Sequence, residues 1–71
     1  MNKINPKKLL NSKWTTVTPV NREKHFVISE IKFDEEDRVT SCRIEAVLSK
    51  SAISINWHDL RDNSRWLQGW K

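Results

Sequence analysis

Few of the 71 side chains can do covalent or metal chemistry: one cysteine, Cys42, and two histidines, His25 and His58. A thiol beside an imidazole can become a thiolate nucleophile, and either histidine could serve Cys42 as its base. However, Cys42 stands in phase with Ile44, Ala46 and Leu48, while Ser41, Arg43, Glu45 and Ser49 alternate with them. That period of two predicts a thiol buried on the apolar face of a strand. The same three residues are 17 and 16 positions apart and include no close ligand pair, so no metal site is expected. His58 and Asp59 are adjacent and, on a strand, would point to opposite faces, which leaves a turn hydrogen bond as the expected role. Gly69 is the only glycine, which excludes a glycine-rich phosphate loop. The residues thus predict no catalytic group, no metal and no cofactor.

The chemistry that remains is recognition. Four tryptophans accompany two phenylalanines and no tyrosine. Trp14 and Trp57 have apolar strand-like neighbours and are expected in the core, where an indole buries on the order of 200 Å². Trp66 and Trp70 lie among Arg61, Arg65 and Lys71, and indoles beside cations suit base stacking and cation–π contact as well as they suit core filling. The first thirteen residues add Lys3, Lys7, Lys8 and Lys13 with no acid. Such a segment is either a solvated flank or a phosphate-contacting arm. Candidate binding residues are therefore Lys7, Lys8, Lys13, Arg61, Arg65, Trp66, Trp70 and Lys71.

The elements that must position them are short. Asn5 followed by Pro6 starts about one helical turn, which Asn11 and Ser12 end. Residues 13–18 are rich in β-branched side chains and stop at Pro19, which defines a first strand. Residues 20–24 read as a polar connection. Residues 25–33 carry apolar side chains on both parities and predict a strand that starts buried on both faces. Residues 34–38 make an acidic five-residue hairpin loop with Asp37 in the left-handed position. Residues 39–49 alternate cleanly as a half-buried strand. Lys50 and Ser51 then make a tight hairpin to a strand over 52–57. A turn over 58–64 precedes a closing strand over 65–70, which would place Trp66 and Trp70 on one face. If that strand pairs with the first, Lys13, Arg65 and Lys71 converge beside the tryptophans. The fold class is mainly β: a small antiparallel five-stranded curled sheet or an SH3-like or Tudor-like barrel with a short N-terminal helical turn. The competing form is an open twisted sheet with that turn packed across one face.

At 8.4 kDa, with 37% hydrophobic residues, the chain makes one domain, residues 1–71, and a two-domain enzyme is excluded. The net charge of +4 is unevenly spread, with both termini basic and Asp34, Glu35, Glu36 and Asp37 in one block. A single cysteine cannot form an internal disulfide, and the longest early apolar run is Leu9 and Leu10. A reducing, cytoplasmic setting with no membrane segment is the expectation.

Three stretches carry a resemblance: the Leu-Leu-x-Ser-Lys-Trp-Thr run that begins at Leu9, the Glu-Lys-His-Phe block that begins at Glu23, and the Trp-Leu-x-Gly-Trp ending that begins at Trp66. Over residues 5–26 and 45–71 the chain resembles a family of small Trp-rich bacterial proteins catalogued as a domain of unknown function. The resemblance implies bacterial origin and a compact single domain, transfers no activity, and hints at a link to light or stress response. Residue chemistry and resemblance together predict a non-enzymatic binding module, monomeric or weakly dimeric. Its basic, Trp-bearing face would contact nucleic acid, RNA or a single strand. The alternative is a protein-interaction accessory that docks a larger partner through an aromatic groove or strand edge.

Overall fold

The computed structural model describes residues 2–20 and 22–71. In chain order the elements are η1 (Pro6–Lys8), β1 (Lys13–Val20), β2 (Glu23–Phe33), β3 (Val39–Ala46), β4 (Ala52–Ser54), η2 (Trp57–Arg61) and β5 (Trp66–Gln68), where η denotes a 3-10 turn. The strands form one antiparallel sheet in the order β4-β3-β2-β1-β5. The first four are a meander; η2 then carries the chain back so that β5 pairs with β1. β4 and β5 are the two edges, so the sheet is open and no barrel forms.

Each element follows from local chemistry. The Asn5 side chain accepts the Lys7 amide at 3.0 Å and Pro6 occupies the first position of η1, so the expected start is there, with 3-10 geometry. Pro19 sits inside β1, where the ladder to β2 is interrupted between Thr15 and Val20 and β5 reaches only Trp14, Thr15 and Thr16. Its missing amide therefore costs no ladder bond. In the acidic hairpin, Asp34 Oδ1 accepts the amides of Glu36 and Arg38, each at 2.9 Å, and Asp37 takes φ 62, the left-handed position expected of it. Of the expected 20–24 connection, Asn21 lies outside the described residues, and β2 already begins at Glu23.

The mixed parity of 25–33 has a different cause from burial on both faces. Between Ile28 and Glu30, β2 carries one residue more than β3, and between Ser41 and Val39, β3 carries one more than β2. An inserted residue inverts the alternation of faces. Ile28 and Ile31 thus both reach the core side despite opposite parity, as do Cys42 and Val39. Leu9, Trp14, Ile28, Cys42, Ile44 and Leu60 form this core, with Leu9 following η1 and Leu60 lying in η2. Both 3-10 turns therefore press onto the same face of the sheet. Trp14, only 2% exposed, donates its indole N–H to Ser12 Oγ at 2.8 Å, which meets its one polar need.

β1 runs past its expected end at 18 and β2 starts before 25, and three further expected boundaries shift. β3 ends at Ala46, because the Lys50 amide bonds back to the Ala46 carbonyl at 2.8 Å with Lys50 at φ 60. The hairpin is therefore longer than the expected pair Lys50 and Ser51, and Leu48 is 73% exposed. β4 stops at Ser54, since the Asn56 side chain accepts the His58 amide at 3.0 Å and starts η2. Trp57 consequently packs against the core from a turn, half-buried. β5 covers only Trp66–Gln68.

Candidate nucleic-acid interface

The geometry is set by how the chain leaves β5. Gly69, at φ 80, turns the backbone in the left-handed region, and its amide bonds to the Lys13 carbonyl at 2.8 Å. Thr15, buried on β1, then holds the tail twice: its hydroxyl donates to the Gly69 carbonyl at 2.7 Å and accepts the Lys71 amide at 2.9 Å. Trp70 is thereby laid over the face that carries Lys13, Thr15 and His25, a face opposite to the core. Its ring stacks on His25 with centroids 5.7 Å apart, its N–H donates to the Phe26 carbonyl at 3.0 Å, and the Lys13 amine lies 4.9 Å from its centroid. The Lys71 carbonyl is 3.0 Å from His25 Nε2. Despite these anchors Trp70 is 45% exposed.

Trp66 is on the other face, because its cross-strand partner is Thr16, which shares the side of Trp14 and Phe26. It meets Phe26 edge-on at 5.3 Å and is half-buried. The expectation of one tryptophan face is therefore corrected: the positive φ of Gly69 reverses the alternation that would have kept Trp66 and Trp70 together. Thr16, Val20, Phe26, Ala46, Ile53 and Trp66 instead border an apolar groove of about 300 Å³ beside edge strand β4.

The cations divide in the same way. The Lys13 amine lies over Trp70, and the Lys71 backbone, next in the chain to Trp70, is held on Thr15 of β1. Arg65 lies at the opposite end of β5 and approaches Asp59 of η2 at 3.9 Å, so it does not join them. Arg61 ends η2, its carbonyl accepting the Asn2 amide at 3.0 Å. Lys7 reaches Asp37 of the acidic hairpin at 3.4 Å, and Lys8 borders a shallow cleft with Lys3, Leu9, Trp14 and Gln68. The expected set of eight is thus three clusters, of which only the one around Trp70 joins an open ring to cations. His25, which completes that cluster, was read in the sequence only as a catalytic or metal candidate. No local signal marked it, because its face is set by the register that places it opposite Thr15.

Cys42 is 3% exposed on the core face, and burial pushes its thiol up from the ordinary range. His58 tilts against Trp57 at 4.1 Å, while Asp59 faces Arg65, so the adjacent histidine and aspartate do not form a pair. Among the described residues no three His, Cys, Asp or Glu side chains gather as metal ligands. Asp62 is held below the usual carboxylate range by the hydroxyl and the amide of Ser64, an Asx turn that leads into β5.

An open five-stranded antiparallel sheet, capped on one face by two 3-10 turns and carrying an anchored, water-exposed indole on the other, defines a small tryptophan-rich β domain. The chain belongs to the tryptophan-rich protein family DUF2389, whose model matches residues 12–71. The match begins at Ser12, so residues 5–11 of the resemblance fall outside it, while the acidic hairpin falls within. No curated protein and no solved structure matches the chain.

Proposed function

We propose that the protein is a non-enzymatic module that binds single-stranded nucleic acid, RNA foremost, on the face formed by Lys13, His25, Trp70 and Lys71. The observation that carries this reading is the state of Trp70. An indole present only to fill space is buried, whereas this one is fixed through its N–H and still 45% exposed beneath a lysine amine. A base offers a π-face to such a ring only when it is unpaired and unstacked, which selects single strands over duplex. Lys13 and Lys71 supply phosphate contacts, and the sequence pI of about 9.6 favours encounter with polyanions.

The test is titration of fluorescein-labelled decauridine with the protein at 50 mM salt, followed by anisotropy and tryptophan emission. Trp70→Ala is expected to weaken binding by about 1–3 kcal/mol, roughly 5- to 150-fold, with Trp70→Phe in between. Absence of binding by the unmodified protein refutes the proposal.

A second reading rests on the groove beside Trp66. Its apolar lining and the adjacent unpaired edge of β4 suit an extended peptide added as a further strand. Recovery of a stoichiometric protein complex that survives nuclease and is lost with Ile53→Asp would favour this accessory role.

A further inference from the structure

The meander brings the β1–β2 and β3–β4 turns to one end of the sheet and the acidic hairpin to the other. At the former end, Arg22, Glu23, Lys24 and His25 face Val47 and Leu48 across an open cleft of about 280 Å³. Val47 and Leu48 are exposed aliphatic side chains, and among the described residues neither Arg22 nor Lys24 is in an ion pair, whereas Lys7, Lys32, Arg38 and Arg65 are. Glu23 is the one carboxylate on the lining, so the cleft is net positive. His25 belongs to two places at once: it lines this cleft and stacks on Trp70.

Arg22 also adopts φ 64. Asn11, Asp37 and Lys50 share that conformation; the short polar side chains of Asn11 and Asp37 tolerate it, whereas Arg22 and Lys50 carry long ones. An arginine has no such relief, so the turn itself gains nothing from having one. What the position gains is a guanidinium at the mouth of an apolar cleft.

We infer that this cleft is a second nucleotide subsite, next to Trp70 and divided from it by His25. One base stacks at Trp70; the strand passes His25; the next base packs on Val47 and Leu48 while Arg22 and Lys24 each meet one of the two phosphates that flank it. The ligand is a single strand at least two nucleotides long. This inference rests on the nucleic-acid reading of the Trp70 face and adds to it a direction and two phosphate contacts.

The experiment measures the affinity for labelled decauridine from 25 to 300 mM salt, with the unmodified protein, the double variant Arg22→Gly with Lys24→Gln, and Lys32→Gln as a distant control. Each single-strand phosphate contact contributes about 0.7 to the slope of log K against log salt, so the double variant should flatten it by about 1.4, and the control should leave it unchanged. Glycine suits φ 64, so thermal stability of the double variant should be equal or higher, which separates lost binding from lost folding. An unchanged slope in the double variant, with binding intact in the unmodified protein, overturns the second subsite and leaves the Trp70 reading standing. No binding by the unmodified protein overturns both. Tighter, Arg22-dependent binding of an acidic leucine-containing peptide than of decauridine would reassign the cleft to a protein ligand.

Discussion

At the scale of single residues, the same side-chain type has different work in different surroundings. Four indoles divide into one sealed ring, Trp14, two half-buried rings, Trp57 and Trp66, and one anchored ring open to water, Trp70. Cys42 shows the opposite of reactivity: the core withholds it from solvent and disfavours its thiolate. Alkylation of Cys42 by iodoacetamide should therefore be blocked in the folded protein and rapid in urea. The linked pH effect has a definite sign. An unfolded-chain thiol ionises near pH 9, while the folded one holds its proton to higher pH, so the contribution to stability is complete below about pH 9 and declines above it. Urea unfolding between pH 8 and 10.5 should show that alkaline decline, and Cys42→Ala should flatten it while lowering stability by about 1 kcal/mol through the lost packing.

At the scale of elements, continuity of the face depends on interruptions of the strands. The extra residue in β2 after Ile28 and the one in β3 before Ser41 keep apolar side chains on the core side through two changes of parity. Gly69 makes a third reversal and thereby sends Trp70 away from Trp66. Thr15 secures that reversal with both roles of its hydroxyl. Thr15→Val keeps the shape of the side chain and removes both bonds, leaving the Gly69 carbonyl and the Lys71 amide to find water. The expected cost is about 1–3 kcal/mol, read by denaturant unfolding, together with a red-shifted emission as Trp70 loosens from His25. The amino-terminal segment contributes in a related way. Asn2 donates through its side chain to the carbonyls of Leu60 and Trp66, both at 2.8 Å, and Gln68 donates to the Lys3 carbonyl at 2.8 Å. These bonds stitch residues outside the family match to η2 and β5, beside the buried Leu9 that the same segment supplies.

At the scale of the whole molecule, the meander separates charge along the strands. The acidic hairpin lies at one end, where Lys7 and Arg38 pair with it; at the other, Arg22 and Lys50 lie in turns and Lys24 at the start of β2. The exposed ion pairs contribute little to stability, about 0–1 kcal/mol each, so the arrangement matters mainly as a field. A polyanion would be guided away from the hairpin and toward the basic turns. On the proposed function, Glu35→Gln with Glu36→Gln should raise the association rate with decauridine roughly two- to threefold at 20 mM salt, and the gain should vanish at 0.5 M. Stopped-flow fluorescence reads this directly; a gain that persists at high salt would point to a contact in place of steering.

The period of two in residues 39–46, the β-branched run after Lys13, the Asn-Pro start and the aspartate-built hairpin are local signals, and each sets its element through neighbours only a few positions away. For that reason the chain alone determined a small antiparallel β domain, a buried Cys42 and Trp14, and Asp37 in its left-handed turn. Tertiary structure decided the rest: that the sheet stays open, that bulges carry the core across parities, that Trp66 and Trp70 part, and that Arg65 leaves Lys13 and Lys71 to join Asp59. These outcomes depend on pairing and packing between residues far apart in sequence, such as Thr15 with Gly69 and Lys71 or Leu9 with Leu60, where no local pattern records which partner will be met.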